Sequence, residues 1–261
     1  MSLIQVEMNY ALITGASSGI GHELAQKFAK HGYNLILVAR QENKLIQLAD
    51  DLKRNYLVEI LIISLDLSHT DAAEEIFRQV QEKSIPVFYL VNNAGFYVKG
   101  AFSETCWEEE EKLVQLQCLN LTQLIKLFLP AMLKQGKGGI LNIGSTGSFV
   151  PGPYNAVYCA AKSFILSFSE ALAEELSDSG VTISTLCPGG TNTAFQDLST
   201  RRKSIFFPTM EASSVAKIGY YGLMKGKRVI IPGVSNKLQV FLIRLTPRYL
   251  VLKLTKSIVK K

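Results

Sequence analysis

Residues 155–164 read NAVYCAAKSF and set Tyr158 and Lys162 four positions apart, on one face of a predicted helix. A phenol beside an ammonium can serve as a general acid or base. The spacing alone is uninformative, because Tyr221/Lys225 and Tyr249/Lys253 repeat it. Tyr158 differs in what precedes it. Thirteen residues upstream, Ser145 ends the strand-like run ILNIGS, and the loop TGSFVPGP follows. The corresponding positions before the other two tyrosines are Pro208 and Asn236, neither at the end of a core strand. A second chemical feature is TGASSGIG at 14–21, between an apolar run and a helical pattern. Glycines there allow a tight turn and close approach to a pyrophosphate, and the helix start offers free N–H groups and a positive dipole end. Gly15, Ser17, Ser18, Gly19, Ile20 and Gly21 are its candidate cofactor-binding residues. The glycine spacing is neither GxGxxG nor the lysine-containing phosphate loop, and a plain tight connection is the alternative.

The elements that must position these residues alternate. YALITG, NLILVAR, VEILIISLD, PVFYLVNNAG, GGILNIGS and GVTISTLCPGG read as buried strands, KRVIIPG as a last short one, and helical patterns lie between them. The longest runs from about Ser103 to Gln135, with a kink expected near Pro130. Continuously apolar strands alternating with helices predict an α/β fold, a single doubly wound parallel sheet of the Rossmann type with helices on both faces. In such sheets ligands bind beyond the carboxyl ends of the strands. The second strand ends in Ala39-Arg40 rather than in the acid that would bind an NAD ribose, and a guanidinium suits a 2′-phosphate. NADP(H) is therefore expected over NAD(H), against the alternative of a solvated strand-end arginine.

Composition narrows the class. The chain has 261 residues, enough for one large domain, and its 48% hydrophobic and 19% charged residues describe a folded globular protein. No linker or repeat divides it. Cys106, Cys118, Cys159 and Cys187 lack metal-ligand spacing and the three histidines are scattered, so no metal site is expected. MSLIQVEMNYALITG has neither a basic start nor a long apolar run, so no export signal and a cytoplasmic location are expected. The net charge of +6 is concentrated at the C-terminal end, where no acid follows Glu211. Those cations are interleaved with Leu, Val, Ile and Phe, which suits an anionic membrane surface better than a nucleic acid.

With TGASSGIG, NNAG (Asn92–Gly95), Ser145, Tyr158-x-x-x-Lys162 and PGGTNT (Pro188–Thr193) in this order, the chain resembles the short-chain dehydrogenase/reductase family over about Asn9 to Gly233. The resemblance implies an NADPH-dependent ketoreductase that moves hydride between nicotinamide and a ketone or secondary alcohol. Tyr158 would be the general acid/base, Ser145 would bind the substrate oxygen, and Lys162 would hold the nicotinamide ribose. At about 4 Å and an effective dielectric of about 20, an ammonium attracts a phenolate by about 4 kcal/mol. That could lower the phenol's pKa of about 10 by about 3 at most. By the same resemblance Asp66 and Leu67 would meet adenine, Asn92, Ala94 and Gly95 would lie along the adenosine side, and Pro188 and Gly189 would pass the nicotinamide. Thr191 or Thr193 would bind its carboxamide or the pyrophosphate. Family members commonly carry a relay asparagine in the long helix; here Gln117 aligns with it, and Asn120 one turn on is the alternative. The family also implies a homo-oligomer, a dimer or tetramer paired through its long central helices.

The catalytic domain is expected over 1–235, with a substrate lid at about 190–210 and a basic amphipathic extension over 236–261. In the lid, Phe195, Leu198, Ile205, Phe206 and Phe207, with Phe149, Pro151 and Tyr154, could wall an apolar cavity for a hydrophobic carbonyl compound. Arg201, Arg202 and Lys203 could meet an anionic group or simply be solvated. For the extension three readings stand: packing across the site mouth, a dimer contact, or peripheral attachment to a membrane's inner face. The rival to an enzyme is an NADP-binding regulatory or scaffold protein without turnover.

Overall fold

A computed structural model describes residues 9–193 and 209–259. The apolar runs form strands β1 (Tyr10–Thr14), β2 (Asn34–Ala39), β3 (Ile60–Ser64), β4 (Val87–Asn92), β5 (Gly138–Ile143), β6 (Val181–Leu186) and, near the end, a short one at Val229–Ile230. These seven make one sheet in the order β3-β2-β1-β4-β5-β6 and then Val229–Ile230, with every neighbouring pair parallel. Between them run α1 (Gly19–Lys30), α2 (Glu42–Asn55), α3 (Ala72–Glu82), α4 (Trp107–Val114), α5 (Leu121–Gln135), α6 (Ala156–Glu175) and α7 (Ala212–Met224). A two-residue pair, β7 (Thr191–Asn192) with β8 (Met210–Glu211), flanks the expected lid, and the sheet's last strand is β9. Beyond it lie α8 (Val234–Leu245) and α9 (Arg248–Val259), parted at Pro247. Most of the expected lid, 194–208, lies outside the described residues.

Side chains alternate across each strand, and both faces are covered, which is why the runs read as continuously apolar. Ile13, Leu35, Leu37 and Leu141 pack with Leu24 and Phe28 of α1, Leu45 and Leu48 of α2 and Val215 and Tyr220 of α7. Leu12, Ile36, Val38, Leu90 and Ile140 pack on the other side with Ile76 of α3, Leu124, Phe128 and Met132 of α5 and Ile165 of α6. Two helical stretches, Trp107–Gln135 and Ala156–Glu175, are long and apolar enough by composition to cross a bilayer. Leu121, Leu124, Ile125, Phe128 and Met132 of the first and Ile165 and Ala173 of the second are buried in the core.

The long helix departs from expectation. It starts at Trp107, and Gln115–Asn120 forms a π-helical turn between α4 and α5. The cause is Asn120, fully buried, whose Nδ2 donates to the carbonyls of Leu67 and His69 at 2.7 Å each, while its Oδ1 accepts from Gln115 Nε2 at 3.0 Å. One wide turn lets this amide reach the loop after β3. Pro130 sits on the exposed side of α5, where the carbonyl it leaves unpaired can meet water.

The chain reverses its winding between β1 and β4, and a polar clasp holds that point. Thr14 Oγ1 donates to Val91 O at 3.3 Å and accepts from the backbone N–H groups of Asn93 and Ala94 at 3.0 Å each. Asn93 Nδ2 returns bonds to Thr14 O at 2.9 Å and Gly15 O at 3.2 Å. Replacing Thr14 by Val keeps the shape but leaves two N–H groups without an acceptor. It should lower the unfolding free energy by about 2 kcal/mol, read as a lower urea midpoint at unchanged m-value. An unchanged midpoint would mean that the clasp contributes nothing.

Candidate active site

A cavity of about 740 Å³ opens at the carboxyl ends of the strands, above the gap between β1 and β4. Its floor is the glycine turn: Gly15, Ser17, Ser18, Gly19 and Ile20 line it. Ser18 precedes α1 without capping it through its side chain, and no acid occupies the first helical turn. The helix therefore presents uncapped N–H groups and its positive end to the cavity. Gly15 has φ +65°, and a Cβ on it would stand 2.7 Å from Asn93 Nδ2. Gly21, expected to bind cofactor, does not line the cavity. A Cβ there would lie 2.4 Å from Gly15 O, so this glycine lets α1 close against the turn.

At one end of the cavity stand Arg40, Lys44, Asp66 and Leu67. Arg40 Nη1 lies 3.6 Å from Asp66 Oδ2, and its side chain is 73% exposed. Burial opposes ionisation of Asp66, but the N–H and hydroxyl of Ser68 and the Arg40 guanidinium outweigh it and hold the carboxyl below its usual value. Lys44 was not foreseen. Its signal was a second cation four residues beyond Arg40, in the first turn of a helix. Ala94 and Gly95 line the middle of the cavity, as expected. Asn92 does not: its Nδ2 donates to Asn142 Oδ1 at 2.9 Å, and Asn142 passes the chain to Ser169 Oγ at 2.9 Å. The position expected along adenosine instead braces β4 against β5 and α6.

At the other end Ser145, Tyr158 and Lys162 meet Pro188, Gly189, Thr191 and Thr193. Ser145 follows β5 and caps a short 3-10 turn, Thr146–Phe149, its Oγ accepting from Gly147 N at 3.0 Å. The Tyr158 hydroxyl is hydrogen-bonded to Ser145. Lys162, 4% exposed, donates from Nζ to Ile143 O at 2.9 Å and lies 5.6 Å from the centre of the Tyr158 ring. The two rival tyrosines, Tyr221 and Tyr249, are exposed and line no part of the cavity.

The electrostatics correct one expectation. Burial pushes the Tyr158 phenol up to about 12, and the Ser145 hydrogen bond pulls the other way without prevailing. Burial also pushes Lys162 down to about 8, despite the neighbouring Cys187 and Cys118. The ammonium points at the Ile143 carbonyl, so the expected lowering of the phenol's pKa is absent. Tyr158 is a protonated phenol at neutral pH, suited to giving a proton. Gln117 is buried outside the cavity lining, its Nε2 donates to Phe96 O at 2.7 Å, and it props the NNAG loop, while its alternative Asn120 shapes the π turn. Among the described residues, Phe149, Pro151 and Tyr154 are not cavity walls either. Phe149 lies under the Arg244 guanidinium, 5.5 Å from its ring centre. The apolar wall near Tyr158 is Phe96, Tyr97 and Leu116, and Asn155 adds an amide. Phe96 and Tyr97 directly follow NNAG, a strand-end position that could have marked them.

Comparison with known proteins agrees with this geometry. The family model described as short chain dehydrogenase matches residues 9–204. A very-long-chain 3-oxoacyl-CoA reductase of Neurospora crassa is 32% identical over 219 residues, 82% of this chain and 65% of that protein. The chain thus spans just under two thirds of that reductase's length. Among solved structures, a study of 7beta-hydroxysteroid dehydrogenase stereoselectivity provides a chain with TM-score 0.86 and 25% identity, covering 95% of this chain and 96% of that one. A short-chain dehydrogenase from Sphingobium yanoikuyae in complex with NADPH has TM-score 0.79 and 31% identity, covering 91% and 94%.

Lys162 yields a prediction about stability. Its folded pKa of about 8 lies below the ordinary 10.5, so between these values the unfolded chain keeps a proton that the folded one has shed. Lys162 therefore makes stability rise with pH across that window and costs ~3 kcal/mol at neutral pH. Lys162→Met should melt higher than the parent at pH 7, with the gap closing by pH 10. A lower melting temperature at pH 7 would show that the bond to Ile143 outweighs the buried charge.

Proposed function

This chain belongs to the short-chain dehydrogenase family of oxidoreductases, and from that premise we propose that it reduces a hydrophobic ketone with NADPH. The observation that carries the reading is the meeting of Ser145, Tyr158 and Lys162 on one cavity wall, opposite a glycine turn and a helix N-terminus. The donor set fits a dinucleotide: uncapped N–H groups midway for a pyrophosphate, cations at one end and the hydroxyl pair at the other. Arg40 and Lys44 support a 2′-phosphate, each giving charge-assisted hydrogen bonds that a ribose hydroxyl would not repay. The Sphingobium yanoikuyae neighbour, bound to NADPH, supports the same choice.

The bound nicotinamide would supply hydride. Ser145 donates a hydrogen bond to the substrate oxygen and fixes it next to the phenol. Tyr158, protonated through neutral pH, gives its proton as negative charge develops on that oxygen. Lys162 would hold the ribose hydroxyls and keeps a positive charge behind the site below pH about 8. Phe96, Tyr97 and Leu116 favour an apolar substituent on the carbonyl. The similarity to a 3-oxoacyl-CoA reductase supports acyl-chain-like substrates, and that to the hydroxysteroid dehydrogenase supports bulky ones. Trp107, Val114, Leu119 and Leu133, exposed on the long central helix, support pairing of two copies there.

NADPH oxidation against a panel of bulky ketones and 3-oxoacyl thioesters tests the reaction. Tyr158→Phe should lose about 10²–10⁴-fold in kcat with NADPH binding intact; a variant as fast as the parent would remove the proposed acid. For the cofactor, Arg40→Ala should raise the KM for NADPH by about tenfold and leave that for NADH nearly unchanged. Equal losses for both cofactors would overturn the phosphate role.

A further inference from the structure

Helix α8 is buried along one side and carries exposed apolar side chains along the other. The covered side carries Asn236 and Val240, 2% and 3% exposed. Asn236 donates to Pro232 O at 2.7 Å and lies against Gly189, while Arg244 reaches over Phe149. On the opposite side Val234, Leu238, Phe241, Leu242 and Leu245 are 81%, 56%, 58%, 52% and 68% exposed. Their spacing of i, i+4, i+7, i+8 and i+11 is that of one continuous helical stripe. Singly exposed apolar residues need no explanation, but an ordered stripe of five does. Tyr249, Leu252 and Leu254 of α9 extend the apolar exposure past Pro247.

The charge around this stripe has one sign. Lys237, Arg244, Arg248, Lys253 and Lys256 belong to the same two helices, and the sequence holds no acid beyond Glu211. Among the described residues, the ion pairs of this region come down to Arg228 with Glu174, so Lys237, Arg248, Lys253 and Lys256 have no carboxylate partner, while Arg244 is turned over Phe149.

We propose that the outer face of α8 and α9 docks on an anionic lipid bilayer, lying in its interface. Each helix has 12 residues, too short to span the hydrocarbon core, so the chain would rest on the membrane. Apolar side chains would enter the acyl boundary while the lysines and arginines meet headgroup phosphates. A second copy of this chain fits less well. A two-fold contact would bring the same cations face to face, with no acid of the segment to neutralise them. A nucleic acid would offer nothing to the apolar stripe. The covered side of α8 rests on the 3-10 turn beyond Ser145, so docking would bring the bilayer next to the substrate end of the site.

Sedimentation of the full chain with vesicles tests the proposal, using phosphatidylcholine alone and phosphatidylcholine with about a third phosphatidylglycerol. Binding should be at least tenfold tighter to the anionic vesicles and should weaken in high salt, since each cation near such a surface contributes about fivefold. Leu238→Asp/Phe241→Asp should lose at least tenfold, and so should Lys253→Glu/Lys256→Glu. Both variants change exposed side chains, and unchanged melting temperatures and NADPH binding would show that the fold is kept. The proposal is overturned if the parent fails to sediment with anionic vesicles, or if both variants sediment as well as the parent. It is equally overturned if light scattering shows the aspartate variant dissociating an oligomer while the parent binds no vesicle.

Discussion

The hydrogen-bonded clasp between Thr14 and the Asn93-Ala94 backbone governs the site. A parallel sheet wound outward in both directions from one strand pair must leave a crevice where its connections diverge. Backbone groups at that crevice have lost their sheet partners, and the surrounding core is too apolar to supply others. One hydroxyl and one amide fill the need: Thr14 serves three backbone groups, and Asn93 returns two bonds to the start of the glycine turn. The turn can then close so tightly that Gly15 and Gly21 admit no Cβ. The positive end of α1 and the NNAG loop are fixed against each other as the two lips of the cavity.

At the far end of the cavity, burial acts on two groups in opposite directions. Desolvation disfavours whichever form carries charge, so it raises a phenol and lowers an ammonium. Tyr158 and Lys162 move accordingly, to about 12 and about 8. Had Lys162 pointed at the phenolic oxygen, Coulomb attraction would have opposed both movements. It donates to Ile143 instead, and desolvation prevails. A phenol held protonated in this way can give its proton to an oxygen gaining negative charge.

The parallel sheet was legible because its strands are buried on both faces, which writes an unbroken apolar run for each. Ser145, Tyr158, Lys162, Arg40 and the glycine turn were legible because a strand's carboxyl end can be located within a residue or two, and ligand-facing residues follow it. Buried amides were not. Asn92, Gln117 and Asn120 are each a polar residue in a helix or at a strand end, equally suited to touching a ligand or to bracing a distant carbonyl. Asn120 finds partners more than fifty positions away, and no local pattern announces them. The π turn follows from those same bonds, so it was hidden too. The protonation of Tyr158 required knowing where the Lys162 ammonium points, which spacing on a helix cannot tell.

The C-terminal helices and the catalytic end share one narrow contact. Gly189 lines the cavity, and a Cβ on it would stand 2.4 Å from Asn236 Oδ1. The bare backbone at this position therefore does two things: it passes the site closely and it lets α8 seat. Asn236 is itself tied to Pro232 O just before α8, which fixes the side chain that packs on Gly189. Asn236 against Gly189 and Arg244 over Phe149 put the inner side of α8 next to the substrate end of the cavity.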